Sequence, residues 1–274
     1  MEAGVKFALV QMECFWGETG RNLRAMESFA REAGAEGAEV IVFPELTLTG
    51  IYKDDRVWEL AENLDGPSVQ AACGIARTLG LNLGFGFTER AEPLPYNTYV
   101  VATPDGSLAG VYRKNCIPHL EVQWWQGHSQ RPVFTVGDKR IGVAICWDTT
   151  QEELLGDYGR QGADIVLMPH AWDADPLGSD GRDLQHNTMA ELFEDHRSGR
   201  IAGWRGHDGM LEQFLRYIPA RCRQNRFAGL FVNQCGQPHP ALRIEGPTFA
   251  ASRDGALLAC TQHGGEQLLF VNIP

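Results

Sequence analysis

The sequence lacks the features that mark membrane, secreted and zinc-binding proteins. Among its 274 residues, no apolar run approaches the roughly 20 that a membrane-spanning helix requires. The amino terminus has no basic segment followed by a long apolar one, so no signal peptide is expected. Neither CxxC nor HExxH occurs, and no group of cysteines and histidines has the spacing of zinc ligands. We therefore expect a protein that neither binds a membrane nor holds a metal ion.

The charge and cysteine patterns of two further classes are also missing. The net charge is −11, which argues against nucleic acid or an anionic membrane surface as a partner. The seven cysteines are an odd number, which does not suit a disulfide framework. Free thiols persist in a reducing compartment, so the expected location is the cytoplasm.

The sequence does contain alternating strand and helix patterns, with hairpins between them. No linker or low-complexity tract divides it, so we expect one domain over residues 1–274. Short apolar runs bounded by turns predict strands at Val5–Gln11, Val40–Phe43, Asn82–Thr88, Tyr96–Ala102, Leu108–Tyr112, Val133–Val136, Ile141–Ile145, Ile165–Met168, Gly229–Asn233, Gly246–Ala251, Ala256–Cys260 and Leu268–Val271. Apolar residues at helical spacing predict helices at Arg21–Ala35, Val57–Leu64, Ser68–Leu79, Gln151–Arg160 and, broken near Pro219, Leu211–Arg223. This pattern is typical of an α/β protein with mixed sheets.

The polar segment 171–209 interrupts this alternation and carries only a short predicted helix, Thr188–His196. A connection of this length is usually a lid, a binding loop or an oligomer contact.

Two strand patterns resemble each other across the chain. GAEVIVFPE at 37–45 matches GADIVLMPH at 162–170 in residue type at nearly every position, and both follow a predicted helix. The match could arise by chance or from two strands built alike. It could also reflect two β-α-β halves related by a pseudo-twofold axis, which would bring the two strand ends to one cleft.

A cysteine closes one of the predicted strands. Cys146 follows the apolar run Ile141–Ile145, and a helix pattern and a second strand come after it. In a parallel sheet the carboxyl ends of strands are where ligands and catalytic groups collect. Taken alone, such a cysteine is most often a small buried hydrophobic residue. A catalytic role needs a base and an oxyanion donor from elsewhere in the chain.

Three segments at predicted strand ends carry a resemblance to a known family. FPE ends at Glu45, YRK ends at Lys114, and Cys146 is followed by Trp and Asp. Together with RCRQNRFAGLFVNQCG and the hairpin SRDGALLA, they resemble the nitrilase, or carbon–nitrogen hydrolase, superfamily. The resemblance covers about 250 residues in the right order. It implies a four-layer α-β-β-α sandwich with two mixed β-sheets, and catalytic residues at one edge of the facing sheets.

The resemblance also implies a role for each residue. Cys146 would be the nucleophile and Glu45 the general base that takes its proton. Lys114 and the backbone N–H of Trp147 would stabilise the oxyanion, and Glu121 would hold Lys114 and orient the substrate. Without the resemblance, Glu45 reads as a surface acid and Lys114 as a solvated lysine.

The expected reaction is hydrolysis of a small linear amide through a cysteine thioester, with release of ammonia and without metal or organic cofactor. True nitrilases usually have Cys-Trp-Glu at the nucleophile, whereas Asp148 here resembles the amide-cleaving branches. The alternatives are an N-carbamoyl amino acid or amine amidohydrolase and, after it, a nitrilase. A catalytically silent binding protein and a soluble acyltransferase represent other classes on the same fold.

Substrate contacts are predicted at the loops near the strand ends. His170 and Trp172 follow a strand end, and His119 lies near Lys114, so these three are the candidates. The pair Trp124 and Trp125 is more often core or interface than pocket. Family members commonly self-associate, so a homodimer or higher homo-oligomer is expected.

Overall fold

Two six-stranded mixed sheets lie at the centre of the protein. The computed structural model describes residues 4–172, 210–261 and 264–274. The predictions for residues 173–209, including the helix Thr188–His196, lie outside the described residues. Within the described ranges, no helix is long and apolar enough to cross a membrane.

The first sheet has three parallel strands with antiparallel neighbours on both sides. Its order is β14 (Gln267–Ile273), β1 (Val5–Gln11), β2 (Val40–Val42), β3 (Asn82–Glu89), β4 (Tyr96–Ala102) and β5 (Leu108–Arg113). The second sheet has the order β6 (Phe134–Val136), β7 (Lys139–Val143), β8 (Ile165–His170), β9 (Ala228–Asn233), β12 (Phe249–Ala251) and β13 (Leu257–Cys260). A separate hairpin consists of β10 (Cys235–His239) and β11 (Leu242–Glu245).

The two sheets have the same plan. In each, an antiparallel edge strand precedes three parallel strands, and two further antiparallel strands complete the order. The strands that carry the repeated sequence pattern, β2 and β8, occupy the third position in their sheets. The repeat therefore marks two halves of equivalent topology.

Side-chain alternation along the strands produces four layers. Phe7 and Leu9 of β1 point into a core shared with the second sheet, whereas Ala8 and Val10 face the outer helices. The helices α1 (Thr19–Ala35) and α3 (Pro67–Leu79) cover the first sheet, and α4 (Glu152–Arg160) and α5 (Met210–Asn225) cover the second. The short helix α2 (Arg56–Leu60) lies outside these layers. The α-β-β-α sandwich expected from the resemblance is confirmed.

Several predicted boundaries were wrong, and proline was the main reason. Pro169 does not end β8, because β7 stops opposite Leu167 and Pro169 pairs only with β9. Pro219 does not break α5, whose apolar face is fixed by core packing of Phe214, Leu215, Ile218 and Cys222. The hairpin β10–β11 was missed. Strand β7 ends at Val143, and Cys146 instead begins a 3-10 helix, Cys146–Thr150.

Candidate active site

Glu45 lies in a buried turn that follows β2, and three donors hold its carboxylate. One oxygen, Oε1, accepts hydrogen bonds from Lys114 Nζ at 2.8 Å and Asn97 Nδ2 at 2.7 Å. The other, Oε2, accepts from the backbone N–H of Ala171 at 2.8 Å. The Glu45 carbonyl accepts from Gln234 Nε2 at 2.8 Å. With 1% of its surface exposed, Glu45 is far from the solvated acid that its sequence context suggests on its own.

A close backbone approach allows this turn. Leu46, directly after Glu45, has a φ of 49°, which is uncommon for a residue with a side chain. Gly86 of β3 lies against it, and a Cβ atom at Gly86 would be 2.4 Å from the Leu46 nitrogen. The lack of a side chain at Gly86 therefore leaves room for the turn that carries Glu45.

Lys114 is a fully buried cation between two carboxylates. It follows β5, and its Nζ donates to Glu45 Oε1 at 2.8 Å and to Glu121 Oε2 at 3.0 Å. Glu121 ends the 3-10 helix His119–Glu121 and is 8% exposed. Burial acts to lower the pKa of Lys114, but the charges of Glu121 and Glu45 outweigh it and raise that pKa well above its ordinary value. Lys114 is therefore held as an ammonium ion.

Cys146 begins its 3-10 helix in a strained conformation, with a φ of 48°. Such strain costs on the order of 1–3 kcal/mol and persists where the surrounding structure fixes it. The side chain is partly exposed. Burial of the thiol and the charge of Glu45 raise the pKa of Cys146 well above its ordinary value, although Lys114 acts to lower it. At neutral pH the residue is therefore a thiol beside a carboxylate and an ammonium group.

Two groups near this thiol are suited to donate to an oxyanion: the backbone N–H of the next residue, Trp147, and the Lys114 ammonium. Among the described residues, the backbone N–H of Trp147 has no hydrogen-bond partner. The Lys114 ammonium is close enough for its charge to act on Cys146. Preorganised donors of this kind stabilise negative charge that develops on a carbonyl oxygen.

The structure places the three candidate substrate-contact residues in different surroundings. His119 is exposed on the 3-10 helix that also carries Glu121. Trp172 is half-buried. Its backbone N–H donates to Asn233 Oδ1 at 3.0 Å, and its indole ring contacts Phe214. Substrate contact by these two residues stays a prediction.

His170 is fully buried at the end of β8. Its ring stacks on Phe231 with centroids 3.8 Å apart, and Nδ1 donates to the Met168 carbonyl at 2.8 Å. Burial lowers the pKa of His170 to about 3, so the ring is neutral. Within the described residues, its Nε2 lies 3.4 Å from Thr149 Oγ1. Direct substrate contact by His170 stays a prediction that this packing does not support.

Polar residues that the sequence analysis did not select complete the site. Asn97 and Gln234 hold Glu45. Each is a buried polar residue in or directly after a mostly apolar strand, and that placement was the available signal. Thr149 Oγ1 donates to the Cys146 carbonyl at 2.6 Å and lies 3.2 Å from the hydroxyl of Tyr217 on α5. Thr149 and Tyr217 had no sequence signal, because their contact spans 68 residues.

A small apolar cluster adjoins the carboxylates of Glu45 and Glu121. Leu46 follows Glu45, and the backbone N–H of Ala171 donates to the Glu45 carboxylate. The backbone N–H of Trp125 donates to the Glu121 carbonyl. These three residues pack in one cluster with Leu242 and Ile244 of the hairpin β10–β11. Trp125 is therefore a core residue, as expected for the tryptophan pair, and its neighbour Trp124 is half-buried against the same cluster.

No metal-binding arrangement is found in the described part of the chain. There, His, Cys, Asp and Glu side chains do not form a group of three that could hold a metal ion. The absence of a cofactor requirement stays a prediction.

The chain is similar in sequence and in fold to known proteins. The family model described as carbon-nitrogen hydrolase matches residues 6–274. An (R)-stereoselective amidase of Pseudomonas sp is 31% identical over 264 residues, which cover 93% of this chain and 80% of that protein. An N-carbamoylputrescine amidase of Arabidopsis thaliana is 31% identical over 185 residues, or 61% of this chain and 60% of the relative. In fold, the chain is similar to a mutant of the Nesterenkonia AN1 amidase from the nitrilase superfamily. The TM-score is 0.81 at 20% identity, with 100% and 92% of the two chains covered.

Proposed function

The chain belongs to the carbon–nitrogen hydrolase family, and from that premise we propose that it hydrolyses a small linear amide through a thioester on Cys146. A hydrolase acting on C–N bonds follows from the family itself. The observation that carries the finer proposal is the buried contact of Glu45 with Lys114, at 2.8 Å, beside a thiol of raised pKa. A cysteine that is still protonated at neutral pH needs a base, and Glu45 is the carboxylate that faces it.

The first half of the reaction forms the acyl-enzyme. Glu45 takes the thiol proton as the Cys146 sulfur attacks the amide carbon, and the carbonyl oxygen becomes an oxyanion. Lys114 Nζ and the Trp147 N–H stabilise that charge. The proton on Glu45 then passes to the amide nitrogen, the C–N bond breaks, and ammonia leaves. A thioester remains on Cys146.

The second half returns the enzyme to its starting state. Glu45 takes a proton from water, and the resulting hydroxide attacks the thioester carbon. The same donors stabilise the second oxyanion, the C–S bond breaks, and Cys146 recovers its proton from Glu45. The products are a carboxylic acid and ammonia. Glu121 supports both halves because its carboxylate holds the Lys114 ammonium in place.

The second candidate function is hydrolysis of an N-carbamoyl compound, which would release carbon dioxide as well as ammonia. It is favoured by the relative of Arabidopsis thaliana that is named an N-carbamoylputrescine amidase. The amide proposal is favoured by the Pseudomonas amidase, because the match with that protein covers 93% of this chain. Both reactions need the same nucleophile, base and oxyanion donors.

We expect purified protein to release ammonia from small aliphatic amides and, if at all, more slowly from N-carbamoyl amines and nitriles. The measurement is ammonia release across the three substrate classes, with intact mass after acid quenching to detect the acyl adduct. Turnover of nitriles alone would contradict the amide proposal. Adduct breakdown that accelerates with added amine would instead indicate an acyltransferase, and the absence of both ammonia and adduct would indicate a binding protein.

Gly86→Ala should disturb catalysis through Glu45. The added Cβ would meet the Leu46 nitrogen at 2.4 Å and the Glu45 carbonyl carbon at 3.2 Å, so the Glu45 turn must move. A misplacement of about 1 Å can cost roughly 10²-fold in rate. The matched control is Gly74→Ala in α3, where nothing lies within 4 Å and alanine suits a helix. Steady-state kinetics of both variants provide the test, and wild-type activity in folded Gly86→Ala would contradict the prediction.

A further inference from the structure

Asp148 is a buried carboxylate that joins three segments around the active site. Its Oδ1 accepts from the Cys116 N–H at 2.7 Å. Its Oδ2 accepts from the Tyr112 hydroxyl at 2.8 Å, the Ile145 N–H at 3.1 Å and the Asn115 N–H at 3.4 Å. The residue is 0% exposed, so all four bonds form away from water. One side chain therefore binds strand β5, the loop that follows it and the turn that carries Cys146.

The partners of Asp148 lie directly beside two of the catalytic residues. Asn115 and Cys116 follow Lys114 in the chain, and Ile145 precedes Cys146. Lys114 follows β5 of the first sheet, and Cys146 begins the 3-10 helix that comes after β7 of the second sheet. Their relative position therefore depends on contacts between the two sheets, and Asp148 supplies hydrogen bonds to both sides.

We infer that Asp148 is a positioning residue that aligns the Lys114 ammonium with the Cys146 thiol. It contacts neither the thiol nor the ammonium, and it acts by fixing the backbone on either side of them. The inference rests on the roles proposed above for Lys114 and Cys146. It goes further by assigning the aspartate after Cys146-Trp147 a physical task.

The charge state of Asp148 gives this role a pH dependence. Burial raises the pKa of Asp148 to about 6, against the opposing effect of its hydrogen bonds. The titratable groups that face it are Tyr112, Tyr158, Cys116 and Lys114. Protonation places a hydrogen on one carboxyl oxygen, which then repels one of the four donors. Alignment is therefore expected to weaken as pH falls through about 6.

Asp148→Asn tests the role with nearly unchanged volume. The asparagine amide nitrogen replaces one of the two carboxylate oxygens and cannot accept a hydrogen bond. The variant therefore loses either the bond from Cys116 or the three bonds that Oδ2 accepts. We expect kcat to fall by about 10²-fold, the size associated with a misplacement of about 1 Å, with little change in KM. The step in kcat/KM near pH 6 should disappear. Tyr112→Phe removes one donor of four and should show a smaller fall in kcat.

A second measurement does not depend on the substrate. Alkylation of Cys146 by iodoacetamide, followed on its own peptide by mass spectrometry, reports the fraction of thiolate that Lys114 stabilises. We expect a decrease of about tenfold in Asp148→Asn, equivalent to one unit of thiol pKa. The matched control is Ile165→Val, at a fully buried position in the hydrophobic core against which Cys146 packs. The apolar side chain of Ile165 takes part in no hydrogen bond of the site. This variant should leave both kcat and the alkylation rate unchanged.

The outcomes separate this inference from the proposed function. Folded Asp148→Asn with wild-type kcat, alkylation rate and pH profile would overturn the inference. An equal loss of activity in Ile165→Val would also overturn it, because general destabilisation would then explain the effect. If wild type releases no ammonia from any substrate class, the proposed function fails, and the alkylation rates alone decide the role of Asp148.

Discussion

Cys146→Ala is expected to reduce ammonia release by at least about 10⁴-fold, which is the scale seen when the nucleophile of a coupled catalytic group is removed. Without sulfur no thioester can form, and the remaining oxyanion donors can act only on direct attack by water. The acyl adduct should also be absent from intact mass spectra after acid quenching. Substrate binding should persist, because the variant removes one atom that contacts the substrate chiefly during the reaction.

The fold should tolerate this change well. Cysteine and alanine both carry a Cβ, so the strain of a φ of 48° at position 146 is the same in both proteins. The unfolding free energy from urea titration should therefore stay close to the wild-type value. Cys73→Ala is the matched control, because Cys73 is also a partly buried free cysteine but lies on α3, outside the site. It should retain full activity. Substantial turnover by folded Cys146→Ala would exclude the thioester mechanism.

Glu45, Lys114 and Cys146 were selected from the sequence through the family resemblance, because pattern alone reads Glu45 as a surface acid and Lys114 as a solvated lysine. FPE, YRK and Cys-Trp-Asp each follow a run of apolar residues. In the structure Glu45 and Lys114 form a buried ion pair, and their charges act on the thiol of the partly exposed Cys146. The repeated strand pattern also had a structural counterpart, since β2 and β8 hold equivalent positions in the two sheets. The repeat was visible in the local pattern, whereas the three site residues needed the family resemblance.

The hairpin β10–β11 could not be predicted in the same way. Its sequence contains Gly236, Pro238 and Pro240, which break any strand pattern. The hairpin lies outside both sheets, and Leu242 and Ile244 pack in the small cluster beside Glu45. No long apolar run marks this element, and the alternation of apolar and polar residues in β11 covers only Leu242–Glu245. Its position depends on tertiary packing, which a single sequence does not reveal.

The supporting contacts of the site were also beyond the sequence. Asp148 accepts from residues 32, 33 and 36 positions away, and Gln234 donates to a carbonyl 189 positions away. Hydrogen bonds at such separations follow from the pairing of the two sheets and leave no periodic signal. A polar residue within a mostly apolar segment, such as the buried Asn97 in β4, is the sequence feature that indicates such a contact.

Lys114→Met should damage both stability and activity. The change leaves Glu45 at 1% exposure and Glu121 at 8% exposure without the cation between them. Removing one partner of a buried ion pair typically costs about 3–5 kcal/mol of unfolding free energy, because the remaining charge is uncompensated. Loss of an oxyanion donor typically costs about 10²–10³-fold in kcat. Urea unfolding and steady-state kinetics at one pH give the two effects separately.

A matched surface variant shows how much burial of the ion pair adds to the loss of unfolding free energy. Arg31→Met breaks the exposed pair of Arg31 with Glu27 on α1, whose side chains are 56% and 44% exposed. Exposed pairs of this kind contribute about 0–1 kcal/mol, so little change in stability and none in activity is expected. The contrast with Lys114→Met isolates the cost of an unpaired buried carboxylate.

The wild-type pH dependence follows from the same ion pair. The folded-state pKa of Lys114 lies above its ordinary value of about 10.4, so its ammonium charge stabilises the fold at neutral pH and up to about pH 10.4. This contribution is lost as pH rises from about 10.4 through the folded-state pKa. Lys114→Met should lack that alkaline component, which unfolding titrations above pH 10 would reveal as a shallower decline than in wild type.

The double variant Lys114→Met with Glu121→Gln distinguishes the two consequences of losing the lysine. Replacing Glu121 removes one of the two unpaired carboxylates, so part of the lost unfolding free energy should return. Activity should not return, because neither substitution restores a cation beside the oxyanion. Recovery of both properties together would mean that Lys114 acts only through folding. Lys114→Met with wild-type stability and kcat would contradict both the buried ion pair and the oxyanion role.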